Sequence, residues 1–143
     1  MAEPSGRERV IFVCTHNSAR SQMAEGMLRE WAGDRFDVSS AGTEATHVRP
    51  EAVEVLAELG IDISRQSSKT LERFLGDSFT WLITVCDDAR EACPTLPRVR
   101  SQEHWSVADP SLAEGDRDAR LIAFRAARDD LRTHVERFLA DTA

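Results

Sequence analysis

Hydrophobic positions along this chain switch repeatedly between a strand-like run and a helical stripe. Arg9-Val-Ile-Phe-Val13 is a short, β-branched apolar run of the kind that forms a strand. Beyond the polar stretch Cys14 to Arg20, Ala24, Met27, Leu28 and Trp31 recur at spacings of three and four. This predicts a helix with that stripe buried and Gly33 just past its end. Phe36 to Ser40 reads as a second strand, and Pro50 to Leu59 as a second helix opened by Pro50 and stopped by Gly60. A weaker helix at about Leu71 to Leu75 precedes Phe79 to Val85, the most strand-like run in the chain. After a proline-containing segment, Glu103 to Val107 is expected as a short fourth strand. From Asp116 onward Leu121, Phe124, Ala127, Leu131, Val135 and Phe138 keep helical spacing, which predicts a long amphipathic last helix.

Strands alternating with helices predict an α/β fold, a four-stranded parallel sheet flanked by helices on both faces, because each right-handed crossover packs back on the sheet. Ligands of such sheets bind beyond the carboxyl ends of the strands. The loops after Val13, Val85 and Val107 are therefore expected near one another. With 143 residues and neither repeat nor linker, residues 1–143 are expected to form a single domain, burying roughly two-thirds of the surface of the unfolded chain.

Composition narrows the function. A net charge of −7, with arginines interspersed among more numerous acids, disfavours a nucleic-acid surface. The polar start and the lack of an apolar run near the ~20 residues that span a bilayer predict a soluble, cytoplasmic protein, read here as a monomer with no membrane partner. Three cysteines are an odd number in a chain too large to need disulfide staples, which points to reactive or core thiols.

The polar segment after the first strand carries the most specific chemistry. Cys14 and Arg20 are separated by five small or polar residues, Thr15, His16, Asn17, Ser18 and Ala19, between a strand and a helix. Such a loop closes into a ring of backbone N–H groups around one anion. The helix N-terminus behind it adds roughly half a positive charge, and Arg20 can grip two oxygens of a tetrahedral oxyanion. The same field favours a nucleophilic Cys14 thiolate. Ser18 and Ser21 are candidate donors to that sulfur, Asn17 a brace bonded to the loop backbone, and His16 a bystander that tunes loop charge. The plainer reading of an isolated match of this kind, a core cysteine and a surface arginine, loses ground because of its placement.

Cys86 ends the strongest strand and Cys93 follows in Cys86-Asp-Asp-Ala-Arg-Glu-Ala-Cys93-Pro. Zinc prefers two to four intervening residues and four ligands, so no metal site is expected. Either cysteine alone reads as packing. Asp109-Pro110 is a frequent turn opener, but proline also holds Asp109 extended, where its carboxyl group can act as a general acid. His47, His104 and His134 have no partner suggested by spacing.

Cys14-x5-Arg20-Ser21 resembles the signature loop of the low-molecular-weight protein tyrosine phosphatases and of the arsenate reductases that share their fold. From Val10 to Phe138, Cys14-Thr-x-Asn-Ser-x-Arg-Ser-Gln-Met-Ala-Glu-Gly26, Thr84-Val-Cys86 to Cys93-Pro-x-Leu-Pro97, His104-Trp105 and Asp109-Pro110 are similar to the thioredoxin-coupled arsenate reductases. The phosphatases commonly have aromatic residues after their Asp-Pro, whereas Ser111 follows here and the chain has no tyrosine. The resemblance implies a low-molecular-weight phosphatase-like domain that reduces arsenate to arsenite in arsenic detoxification. In that scheme Thr15, His16, Asn17, Ser18, Ala19, Arg20 and Ser21 bind the oxyanion. Cys14, Arg20, Cys86, Cys93 and Asp109 are catalytic, a disulfide passes from Cys14–Cys86 to Cys86–Cys93, and thioredoxin is the external reductant with no cofactor bound. Weak phosphatase activity, a phosphatase proper, a mycothiol or glutathione reductant and a non-catalytic oxyanion-binding module are the alternatives. Some such reductases bind potassium at positions matching Asn17, Glu25, Ser40, Ser67 and Lys69. Here Lys69 stands where those relatives carry aspartate, which predicts no strong potassium activation.

Overall fold

Bulky residues on both faces of β1 (Glu8–Cys14) suit an interior strand. It pairs in parallel with β2 (Phe36–Gly42) on one side and β3 (Phe79–Thr84) on the other. The structure, a computed structural model, describes residues 6–85 and 95–143. β4 (Val99–His104) adds to the outer edge of β3, giving a parallel sheet of order β2-β1-β3-β4. The order reverses between β1 and β3, the topological switch point where doubly wound sheets place their ligands.

The register of β4 corrects the expected fourth strand at Glu103 to Val107. The pairing begins at Val99 and ends at His104, and Trp105 then turns off with its N–H bonded to Thr84 O at 2.8 Å. An edge strand has one solvated side, so alternation in Val-Arg-Ser-Gln-Glu-His is enough to form it without an apolar run.

Among the described residues, three α-helices pack against the face that carries Val10, Phe12 and Cys14: α1 (Arg20–Ala32), α2 (Pro50–Ala57) and α3 (Arg117–Asp141). The opposite face, with Ile11, Val13 and Leu82, is covered among the described residues by Leu96 and by the 3₁₀ turn Leu71–Phe74, where a weak helix is expected from sequence. Within α1, Ala24, Met27 and Leu28 are buried as their spacing predicts. Trp31 is not: it is 37% exposed, with the Arg132 guanidinium 5.7 Å above its ring, and Met23, one turn before Met27, is buried in addition. In α3 all six stripe residues are buried, and the Asp116 side chain caps the helix by accepting the Ala119 N–H, a cap worth about 1 kcal/mol. No described helix is long and apolar enough to cross a membrane.

α2 ends at Ala57, short of the expected Leu59, and Gly60 reverses the chain at φ +77°. Just past that end, Glu58 accepts from Arg125 and Arg128 of α3. The hydrogen bonds from Arg125 first and Arg128 second hold the Glu58 carboxyl down to about 2. A depressed carboxyl contributes stability that is present above its unfolded value and lost as pH falls through the folded one. The α2–α3 tether is therefore expected to weaken between about pH 4.5 and 2. Glu58→Gln should lower the melting temperature at pH 7 and flatten its fall across that window, as thermal melts across that range would show; an unchanged profile would mean that the tether carries no stability.

Candidate active site

Five successive carbonyls of the loop after β1 are turned outward, each with a donor. Thr15 O accepts from the Glu44 N–H (3.0 Å) and the Thr43 hydroxyl (3.1 Å), and His16 O from the Thr46 and Ser68 hydroxyls (both 3.2 Å). Asn17 O accepts from the Gln22 amide (3.0 Å), Ser18 O from the Arg49 N–H (2.9 Å) and Ala19 O from the Met23 N–H (2.9 Å). A trans peptide points its N–H opposite to its C=O, and no cis bond is found among the described residues. The N–H groups of His16 to Arg20 consequently face the inside of the loop. Asn17 makes the turn with φ +49°, a left-handed conformation that asparagine tolerates. Among the described residues no side chain caps the N-terminus of α1 behind it, leaving helix N–H groups for an anion.

Cys14 lies at the floor, 3% exposed, with its Sγ 2.9 Å from the Ser21 hydroxyl oxygen. That oxygen already accepts from Asn17 Nδ2 at 2.8 Å, so the Ser21 proton is free to point at sulfur. Of the two serines expected to reach the thiol, Ser21 does so, while Ser18 enters through its carbonyl. Asn17 braces the loop through Ser21, Ser40 and the Lys69 N–H rather than through the loop's own backbone.

Behind Asn17, six side chains close a ring, of which the resemblance groups only Asn17, Glu25 and Ser40, as cation positions. Asn17 donates to Ser40 (2.9 Å), Ser40 donates to Glu25 (2.5 Å), and Arg29 donates both to Glu25 and to Gln66 (3.1 Å). Gln66 then donates to Gln22 (2.8 Å) and Gln22 to Asn17 Oδ1 (2.9 Å). Asn17, Gln22, Glu25 and Ser40 are all buried, where an unmade bond would cost about 1–3 kcal/mol. Such satisfied networks fix a single conformation.

Arg20, also buried, spans to the loop after β4. Its Nη1 donates to Val107 O at 3.0 Å and its Nη2 lies 3.4 Å from Asp109 Oδ2. Asp109 is extended (ψ 107°), as expected before Pro110, and its Oδ1 accepts from the Ser111 N–H (3.0 Å) and hydroxyl (2.6 Å). The first and last of the three expected loops thus meet at one guanidinium. The middle one begins at Val85, whose N–H bonds Val13 O at 3.0 Å beside Cys14; Cys86 and Cys93 lie outside the described residues. His16 points outward, 3.9 Å from Glu44, so only its backbone belongs to the ring of amides. His104 and His134 do have partners: Thr84 Oγ1 at 2.7 Å from His104 Nδ1, and Trp105, stacked on His134 at 5.3 Å.

Gly42, at the end of β2, is a further requirement of the loop. A Cβ there would stand 2.6 Å from Thr15 O, 2.8 Å from Cys14 O and 2.9 Å from Asn17 N, all backbone atoms. Gly42→Ala should therefore displace the loop itself, at about 1–3 kcal/mol of stability and roughly 10²-fold in rate for a shift of about 1 Å. Gly26→Ala is the comparison, because its Cβ meets mainly the Ile63 side chain. If Gly42→Ala lost no more activity than Gly26→Ala in parallel assays and melts, the close approach would be irrelevant to the loop.

The residues at the potassium positions of such folds do not fit an added ion here. The Lys69 ammonium donates to Ser67 O at 2.5 Å, and burial pushes its amine below the usual lysine range, opposed by the charge of Glu25. A second cation about 4 Å away would be repelled by about 4 kcal/mol near a protein surface.

Comparison with known proteins places this arrangement. Residues 9–143 match the family model described as low molecular weight phosphotyrosine protein phosphatase. An arsenate reductase of Halalkalibacterium halodurans is 41% identical over 129 residues, 90% of this chain and 93% of the relative. Among solved structures, an arsenate reductase in the oxidized state superposes with a TM-score of 0.78 at 32% identity, covering 95% and 99% of the two chains. A thioredoxin-dependent arsenate reductase of Corynebacterium glutamicum gives 0.62 at 26% identity, covering 95% of this chain and 64% of that one.

Proposed function

Because the chain belongs to the low molecular weight phosphotyrosine protein phosphatase family, and its near-full-length relatives are arsenate reductases, we propose that it reduces arsenate to arsenite with electrons from its own thiols. The observation that carries this reading is the amide-lined loop, with Cys14 at its floor and Arg20 at its rim. A tetrahedral oxyanion bound there accepts the inward N–H groups and the guanidinium N–H groups that Val107 and Asp109 leave free.

In the proposed reaction the Cys14 thiolate attacks arsenic, a sulfur–arsenic bond forms, and one arsenate oxygen leaves as water after Asp109 supplies a proton. General acid help of this kind is worth about 10²–10⁴-fold. Cys86 then attacks the sulfur of Cys14. The sulfur–arsenic bond breaks with its electron pair going to arsenic, so arsenic gains two electrons and the two thiols become a disulfide. Cys93 attacks Cys86 in turn, freeing Cys14 and leaving Cys86–Cys93 for thioredoxin. Exchange requires Cα atoms within about 7 Å of each other, and the Val85–Val13 bond brings the chain just ahead of Cys86 beside Cys14. The protein is taken to act as a cytoplasmic monomer, where thiols stay reduced between turnovers.

What separates this function from a phosphatase is the thiol relay. Ser111, held by Asp109, stands where an aromatic wall would receive an aryl ester. The test is steady-state arsenate reduction with thioredoxin, thioredoxin reductase and NADPH, run beside glutathione, mycothiol and an aryl phosphate. Turnover that needs thioredoxin, with only slow ester hydrolysis, is expected. Turnover sustained equally by glutathione or mycothiol would reject thioredoxin as the reductant, and rapid ester hydrolysis without arsenate reduction would reject the reductase.

A further inference from the structure

The hydrogen-bonded ring behind the loop contains one carboxylate, Glu25, and one cationic side chain, Arg29, and a second cation, Lys69, lies beside it. Glu25 has both oxygens occupied, one by Ser40 and one by Arg29. Lys69 is tied to the same ring at both ends: its N–H donates to Asn17 Oδ1 at 2.8 Å, and its ammonium shares the Ser67 carbonyl with Gln22 Nε2. The cationic end of a flexible side chain is thereby fixed in a polar recess of about 380 Å³ that Glu25, Arg29 and Ser67 also line. From this recess the contacts run through Glu25, Ser40, Asn17 and Ser21 to the sulfur of Cys14.

We propose that Lys69 is a built-in monovalent cation: a positioning residue whose ammonium, on the Ser67 carbonyl that Gln22 also uses, holds the Gln22–Asn17 side of the ring, so that Ser21 stays aimed at Cys14 without any bound ion. The inference rests on Cys14 being the nucleophile, and its consequences appear before any arsenate chemistry. A free ion would have to be bound from solution, whereas the lysine supplies the same charge on the chain at every salt composition.

The experiment follows the second-order rate of Cys14 alkylation by iodoacetate, assigned by peptide mapping, at constant ionic strength in potassium, sodium or N-methylglucamine chloride. Phosphate affinity is measured alongside. The unaltered protein is expected to react at the same rate in all three salts. Lys69→Met should react about tenfold more slowly at pH 7, with its alkylation profile moved to higher pH and equally so in each salt. Lys69→Asp should regain the rate in potassium and not in N-methylglucamine, a comparison made within one folded protein. A several-fold potassium acceleration of the unaltered protein would overturn the proposal, as would a Lys69→Met protein with a lower melting temperature and an unchanged alkylation profile. If arsenate reduction itself failed while these alkylation results held, the proposed function would fall and the role of Lys69 would stand.

Discussion

Cys14→Ser is expected to remove arsenate reduction altogether, a loss on the order of 10⁴-fold or more, while leaving the loop assembled. A hydroxyl fits the space of the thiol beside Ser21, because the loop is held by its outward carbonyls and by Asn17 rather than by the sulfur. The variant should melt within a few degrees of the parent and still bind phosphate, since the inward amides and Arg20 are untouched. Calorimetric titration with phosphate beside an arsenite-release assay separates the two properties. Arsenite release retained at even a tenth of the parent rate would remove Cys14 from the chemistry.

Cys86→Ser should abolish multiple turnover just as completely, and for a different reason. Cys14 can still attack arsenate, but no neighbouring thiol takes the sulfur–arsenic bond apart, so arsenic is not reduced. Cys93→Ser should behave otherwise: one arsenite per protein is released, and the reaction halts at a Cys14–Cys86 disulfide. Quenched-flow measurement of arsenite per mole of enzyme distinguishes them, with about zero expected for the first variant and about one for the second. A Cys86→Ser protein that turned over repeatedly with thioredoxin would break the relay at its middle step.

The fold was largely legible because its signals are local. Six positions of α3 keep helical spacing and all six are buried, and β1 and β3 announce themselves by apolar runs. The start of β4 at Val99 escaped because an edge strand needs no such run; of the strand expected at Glu103 to Val107, Glu103 and His104 belong to β4, and the residues from Trp105 on carry the chain to Asp109. Trp31 shows the opposite error, since the spacing that buries Met27 and Leu28 also reaches the rim of the helix, where a large ring lies half in solvent.

The candidate site divides in the same way. Cys14, Arg20 and Asn17 follow from types of residue at short spacing between a strand and a helix, whereas Asp109, on its own a turn residue, was singled out by the resemblance. Gln22, Arg29 and Gln66 had no such signal: glutamines carry no periodicity, and the half-buried Gln66 reaches the buried Gln22 across 44 residues of sequence. Gly42 was invisible because its importance lies in the missing Cβ, which matters only once Thr15 and Asn17 are packed on it. Lys69 was singled out by the resemblance, as a charge of the wrong sign at a cation position, but only the geometry ties it to Ser67 and Asn17.

The most direct test of a thiol-driven reduction is a thiol count with disulfide mapping after fully reduced protein meets stoichiometric arsenate with no other reductant present. The account predicts that two of the three thiols disappear, that Cys86 is found linked to Cys93, and that one arsenite is released per protein. Three intact thiols with arsenate unreduced would contradict it.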